Sequence, residues 1–170
     1  MNICLKQIYN NTRHKYHVAK ECWKQGLYIL AITHDANKYI PWVLKVYDEY
    51  AKGNYDKGRN KTGYYRPYTD NHKFNLALNY HTTHSKHHWQ YWSIQVDADN
   101  TIPQDIPEKY LKEMMCDWIG ASITSGRGRD GARTWYITNG DKLQLSDSTR
   151  EYIDKFFNLG GNANGENNTR

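Results

Sequence analysis

An all-α fold is predicted by three features of this 170-residue chain. Apolar residues recur at helical spacing in five or six segments. Gly26, Pro41 and Pro107 stand where helices stop or start. No extended run alternates apolar and polar residues as a half-buried strand does, so at most a short hairpin is expected, near 93–102 or 135–145.

Each element follows from local composition. Residues 11–26 read as a first helix, with Thr12 as cap, Val18, Cys22 and Trp23 as its apolar stripe and Gly26 as its end. Residues 27–38 are apolar up to His34-Asp35. A buried strand is conceivable there, but Ala31, Ala36 and the polar end favour a second helix. Pro41 suits the first turn of a third, through about Ala51. Residues 53–70 are rich in Gly, Lys, Arg, Tyr and Asn; a loop of this length implies a lid or a binding segment. A fourth helix is predicted from about Asn71 to Tyr91, and residues 97–107 form a connector. Pro107 opens a fifth helix, which carries Met114, Met115, Asp117 and Trp118. Residues 125–133 form a basic loop. The last helix spans about 147–158, capped by Ser146 or Ser148. Residues 1–159 thus make one domain, and the Gly/Asn-rich tail 160–170 is expected to be disordered.

Composition narrows the chemistry. Fifteen Tyr and six Trp supply much of the apolar surface, and each brings a polar tip that needs a partner or water. A net charge of +5 favours anionic partners such as nucleotides or nucleic acid. Three cysteines with no CxxC pair argue against a disulfide framework or a cysteine zinc site. Cys22 and Cys116 fall in apolar helical patterns and read as core thiols. No stretch reaches the roughly 18 apolar residues of a membrane span, and the reading is a cytoplasmic protein with no membrane partner.

The residues that carry chemistry are histidines and carboxylates. His34-Asp35 joins an imidazole to a carboxylate, a pair suited to Zn, Mn, Fe, Ni or Co. Neighbours on a helix point about 100° apart, so both reach one ion only over the helix edge. Further ligands must come from other helices, and His14 and Asp117 are the candidates. Asp117 lies beside Met114, Met115 and Trp118, where a charged carboxylate needs a cation or hydrogen bonds. His17 is an alternative to His14. Residues 81–88 hold four of the eight histidines. On a continuous helix His81, His84 and His88 share a face and offer a second metal site, while His87 points elsewhere as a supporting residue. Lys38 can hold a substrate phosphate as a point charge.

The order His … His-Asp … Asp on successive helices resembles the HD-domain superfamily of metal-dependent phosphohydrolases. The stretches Arg13-His14-Lys15-Tyr16, His34-Asp35-Ala36-Asn37-Lys38, His87-His88-Trp89-Gln90-Tyr91-Trp92 and Glu113-Met114-Met115-Cys116-Asp117-Trp118 are similar to a phage and bacterial branch with an HD-like core. The resemblance implies a helical bundle and metal at His14, His34, Asp35 and Asp117. Many one-metal nucleotidases of the superfamily carry Glu near the place of Lys38. The His-Asp-x-x-Lys form with extra histidines is closer to the two-metal members, which include cyclic-dinucleotide phosphodiesterases and diiron oxygenases.

The expectation is therefore a phosphohydrolase acting on a nucleotide or related phosphate ester with one or two divalent ions. Asp35 and Lys38 would be catalytic. Lys38, Arg127, Arg129 and Arg133 would neutralise phosphate charge. Tyr64, Tyr65 or Trp135 would stack on a base. Two alternatives stand beside it: an oxygenase with iron in the same ligands, and a non-catalytic protein that grips nucleic acid or a host protein through its basic loops. The compartment would be the cytoplasm, that of the host for a phage protein.

Overall fold

The computed structural model describes residues 5–52 and 71–159. The expectations for residues 53–70, including Tyr64 and Tyr65, and for the tail 160–170 lie outside the described residues. The described chain is helical apart from one small hairpin. In order it forms α1 (Leu5–Lys24), α2 (Tyr28–Thr33), α3 (Pro41–Lys52), α4 (His72–His84), β1 (Ser93–Gln95), β2 (Thr101–Pro103), α5 (Glu108–Thr124), α6 (Gly131–Asn139) and α7 (Asp147–Phe156). The hairpin pairs Ile94 with Ile102 in antiparallel register, within the expected 93–102 range. Residues 135–145 are instead the end of α6 and a 3-10 turn.

Three boundaries differ from those expected, each for a local reason. The first helix starts at Leu5, not at 11, and Thr12 is internal, its hydroxyl bonded to that of Tyr39 at 3.0 Å. Gly26, with φ +72°, terminates it in the left-handed region that glycine tolerates. The second helix stops at Thr33, so His34 and Asp35 occupy a turn rather than a helix. Asp35 itself has φ 56°, a conformation uncommon for a residue with a side chain and concentrated at functional sites. The fourth helix ends at His84, because Ser85 turns extended and its hydroxyl takes tertiary partners. Asn71 and Ser146 cap α4 and α7 through their side chains.

The long helix α5 organises the core. On one side Leu111, Met114, Met115 and Ile119 pack with Ala132, Tyr136, Leu143, Leu145 and Ile153. On the other, Cys116 joins Val18, Cys22 and Ala31. Cys22 and Cys116 are buried free thiols, as the apolar pattern suggested. The α1–α5 approach is close because Gly120 has no side chain: a Cβ there would lie 2.9 Å from the backbone nitrogen of Val18. That contact brings His14, one turn before Val18, against Asp117, nearly one turn before Gly120.

Candidate metal centre

Five segments meet in one largely buried cluster. His14 comes from α1, His34 and Asp35 from the turn after α2, and Glu113 and Asp117 from α5. His81 comes from the end of α4, and His87 and His88 from the segment after it. Within each of three subsets the ligand atoms lie within 4.8 Å of one another: His14, His34, Asp35, Asp117; Asp35, His81, His87, His88; and His34, His87, Glu113.

The Asp35 carboxylate divides the cluster. Its Oδ2 faces His14 Nε2 at 3.3 Å and His34 Nε2 at 3.5 Å. Asp117 Oδ1 closes that side, 2.9 Å from His14 Nε2 and 3.4 Å from His34 Nε2. Asp35 Oδ1 faces the other way, 3.4 Å from both His81 Nε2 and His87 Nε2. His88 Nε2 stands 2.8 Å from His81 Nε2. The unusual backbone of Asp35 lets its side chain converge with that of His34, which a helix would have held apart.

The surrounding hydrogen bonds aim lone pairs inward. His34 Nδ1 donates to Glu113 Oε1 at 3.1 Å, and His87 Nδ1 lies 3.3 Å from the same oxygen. His81 Nδ1 donates to Asn37 Oδ1 at 2.8 Å, and Asn37 Nδ2 donates to Ser85 Oγ at 2.8 Å. With Nδ1 committed in this way, a neutral His34 ring would turn Nε2 as a bare acceptor toward two carboxylate oxygens. Acceptors facing acceptors in a dry site are unfavourable unless a cation lies between them. His14 Nε2, His34 Nε2, Asp35 Oδ1 and His87 Nε2 are all buried and without a directed hydrogen bond. These are ligand atoms of the kind a divalent transition metal takes, and their spacing fits bonds of about 2.0–2.2 Å.

The electrostatics of the metal-free cluster agree with this. Burial disfavours the charged form of His14, but Asp117 and Asp35 outweigh it and raise its pKa to about 9. Burial likewise opposes charge on His87, and Asp35 and Glu113 overcome it, raising the pKa to about 10. Burial and Lys38 push His81 well below its ordinary value; burial and His87 do the same to His88. Burial would raise Asp35 and Asp117, yet the histidines around them, with Lys38 beside Asp35, hold both well below the usual carboxylate range. Glu113 is also lowered against its burial, by His34 and His87. Lys38 Nζ donates to Asp35 Oδ2 at 2.7 Å and is raised, Asp35 offsetting its burial. Three carboxylates are thus balanced by Lys38 and two imidazolium rings. One dication can replace the two protons without changing the total charge.

The structure brings His14, His34, Asp35, Asp117, Lys38, His81 and His88 together. It does not bring His84, which is exposed, stacks on Tyr80 at 4.3 Å and has Nδ1 2.9 Å from the Tyr80 carbonyl oxygen. His88 lies beyond the helix end and so does not share a helical face with His81. His87, which a helix through residue 91 would leave only as a supporting residue, is a central member. Glu113 was missed as a site residue, although a carboxylate four residues before Asp117 on one buried helix face signals it. His17 lies outside the cluster.

The three arginines sit elsewhere. Arg129 pairs with Glu21, seven residues beyond His14 and so about 10 Å further along α1. Arg133 Nε donates to the Phe157 carbonyl and Arg127 Nε to Ser125 Oγ. Arg129 and Arg133 line a separate crevice with Gln25, Ile119, Phe156 and Phe157. Trp135 packs against Trp118 at 5.1 Å, half-buried beside the core, and not at the cluster.

Fold and cluster together define a helical protein with a buried histidine–carboxylate centre able to hold a divalent metal. The chain belongs to a family of unknown function, DUF5662, whose model spans residues 5–159. No curated protein and no solved structure matches it. Among the described residues no helix is long and apolar enough to cross a membrane.

Proposed function

We propose that this protein is a metal-dependent phosphohydrolase acting on a nucleotide or related phosphate ester, with His14, His34, Asp35 and Asp117 holding one ion. Asp35 Oδ1, His81, His87 and His88 would hold a second. The observation that carries the reading is the division of the Asp35 carboxylate between two sets of inward-facing acceptors. The ordered His … His-Asp … Asp set and its resemblance to the HD-domain superfamily support it. The compartment on this reading is the cytoplasm.

Charge favours an anionic substrate. With two dications the three carboxylates and Lys38 leave a surplus of positive charge, which suits a phosphate ester. A bound divalent ion supplies a Lewis acid that acidifies water and polarises a phosphoryl oxygen. The chain's own groups do the rest. His34, Asp35, His81, His87 and Glu113 are sealed, whereas the side chains of His14, Asp117 and Lys38 keep 16 %, 13 % and 18 % exposure. His88 is also only half-buried, so the mouth lies among these four groups, and a substrate phosphate meets Lys38 as it enters. Lys38 orients Asp35 and supplies a fixed cation to phosphate. Glu113 holds one imidazole from each half in a single tautomer.

The test is metal loading of purified protein with Mn, Fe, Co, Ni or Zn, followed by a screen of nucleotides and cyclic nucleotides for phosphate or monoester release. Turnover that a chelator abolishes and metal restores is the expected result. Oxygen consumption by the iron form without phosphate release replaces this reading with the oxygenase. Salt-dependent nucleic-acid binding without any turnover replaces it with a binding protein.

A further inference from the structure

The face of α1 opposite the metal centre has no use in the chemistry above. Asn11, His14, Val18, Glu21 and Cys22 point inward. On the outer side Leu5, Tyr9, Tyr16 and Trp23 are each more than half exposed. At about 100° per residue these four fall within about 40° of one another. With Thr12, whose hydroxyl bonds that of Tyr39, and Ala19, partly buried against Val18 and Cys22, they recur at alternating spacings of four and three, the pattern of a seam that accepts a second helix. α2 continues the surface: the rings of Trp23 and Tyr28 meet at 4.7 Å, and Ile29 and Ile32 beyond them are exposed by 78 % and 67 %. Scattered exposed apolar residues are ordinary, but a contiguous line is not. Large aromatic side chains cover about 150–250 Å² each, so Tyr9, Tyr16, Trp23 and Tyr28 alone expose about 400 Å².

Charge identifies the occupant. Lys6, Arg13 and Lys20 are exposed and recur every seven residues, so they form a row along one flank of the seam. Lys20 Nζ rests over the Tyr16 ring, 5.5 Å from its centroid. The only acidic residue of α1 is Glu21, buried and paired with Lys24 and Arg129. We propose that this face docks an amphipathic helix of a partner protein whose apolar seam is flanked by acidic side chains. A second copy fits poorly, because twofold pairing of antiparallel α1 helices sets Lys6, Arg13 and Lys20 against the same row. A lipid surface rewards apolar area without regard to register. A seven-residue cation row beside a four-three seam is the register at which an acidic row on a second helix meets it.

The probe is a labelled peptide of about four heptads with Leu at its seam and Glu on both flanks, compared with the same peptide carrying Lys on its flanks. Binding to the full chain is measured by fluorescence anisotropy. The Glu peptide should bind at least about tenfold tighter than the Lys peptide and weaken as salt rises. The combined Lys6→Glu, Arg13→Glu and Lys20→Glu change should reverse the preference. Tyr16→Ser should weaken the Glu peptide about tenfold while leaving the melting temperature and metal content unchanged, since Tyr16 is exposed. Equal binding of both peptides, or none, overturns the proposal. So does tighter binding of single-stranded oligo-dT or anionic vesicles that displaces the peptide. A wild-type dimer that Tyr16→Ser dissociates overturns it in favour of self-association.

Discussion

Gly120→Ala tests the link between helix packing and the metal centre. The new Cβ would lie 2.5 Å from Val18 Cγ2, 2.9 Å from Val18 N and 3.1 Å from Val18 Cα. The valine side chain can rotate, but the backbone nitrogen can move only with α1. Ordinary contact begins at about 3.4 Å, so the two helices must part by about 0.5 Å. Overpacking of this kind costs about 1–3 kcal/mol. Alanine gains back about 1 kcal/mol over glycine in a helix interior. The net loss should be about 0–2 kcal/mol, a fall of at most several degrees in melting temperature. The larger effect falls on the site. His14 and Asp117 face each other at 2.9 Å across this same contact, and metal ligands tolerate about 0.2 Å. Metal affinity should drop about tenfold or more, read by competition with a coloured chelator, while circular dichroism stays helical. Unchanged metal affinity in a folded Gly120→Ala protein would refute the argument that this crossing sets the His14–Asp117 distance.

Three further expectations follow from the cluster. His14 and His87 have pKa values raised to about 9 and 10 in the metal-free fold, above the ordinary 6.5, so the stability they confer is complete below about 6.5 and lost as pH rises through 9 and 10. Metal competes with the same protons: its affinity should rise with pH over that window, with about two protons released on loading at pH 7. A metal-free melting temperature that climbs from pH 7 to 10, or calorimetry with no proton release, would count against it. Glu113→Gln keeps an acceptor for His34 and His87 but removes the charge, and should weaken metal binding about tenfold; an unaltered affinity would mean the carboxylate only fills space. His87→Ala should lose one of two ions while His84→Ala keeps both, and equal metal content in the two variants would contradict the assignment.

Helical spacing and the glycine and proline positions were enough to read the fold class, because α1 and α7 each bury one face and α5 is apolar enough to be buried nearly all round. Helix ends were less legible, since tertiary contacts decide them. Ser85 leaves the helix to meet Asn37 and His81, and only that break swings His87 and His88 back onto Asp35. The same limit hid the turn at His34-Asp35, whose left-handed residue carries no glycine to announce it. His14, His34, Asp35 and Asp117 could be proposed together because each residue type demands partners when buried. The arginines of 125–133 could not be placed, because charge does not reveal which end of α1 a loop will reach. The pairing of Arg129 with Glu21 sets that position.

The shared carboxylate of Asp35 is tested most directly by anomalous diffraction from crystals loaded with manganese or zinc. The expected result is two peaks about 3.5–4 Å apart, one against Oδ2 with His14, His34 and Asp117, the other against Oδ1 with His81, His87 and His88. A loaded crystal with no peak at Asp35, or with its metal bound elsewhere on the chain, would contradict the account.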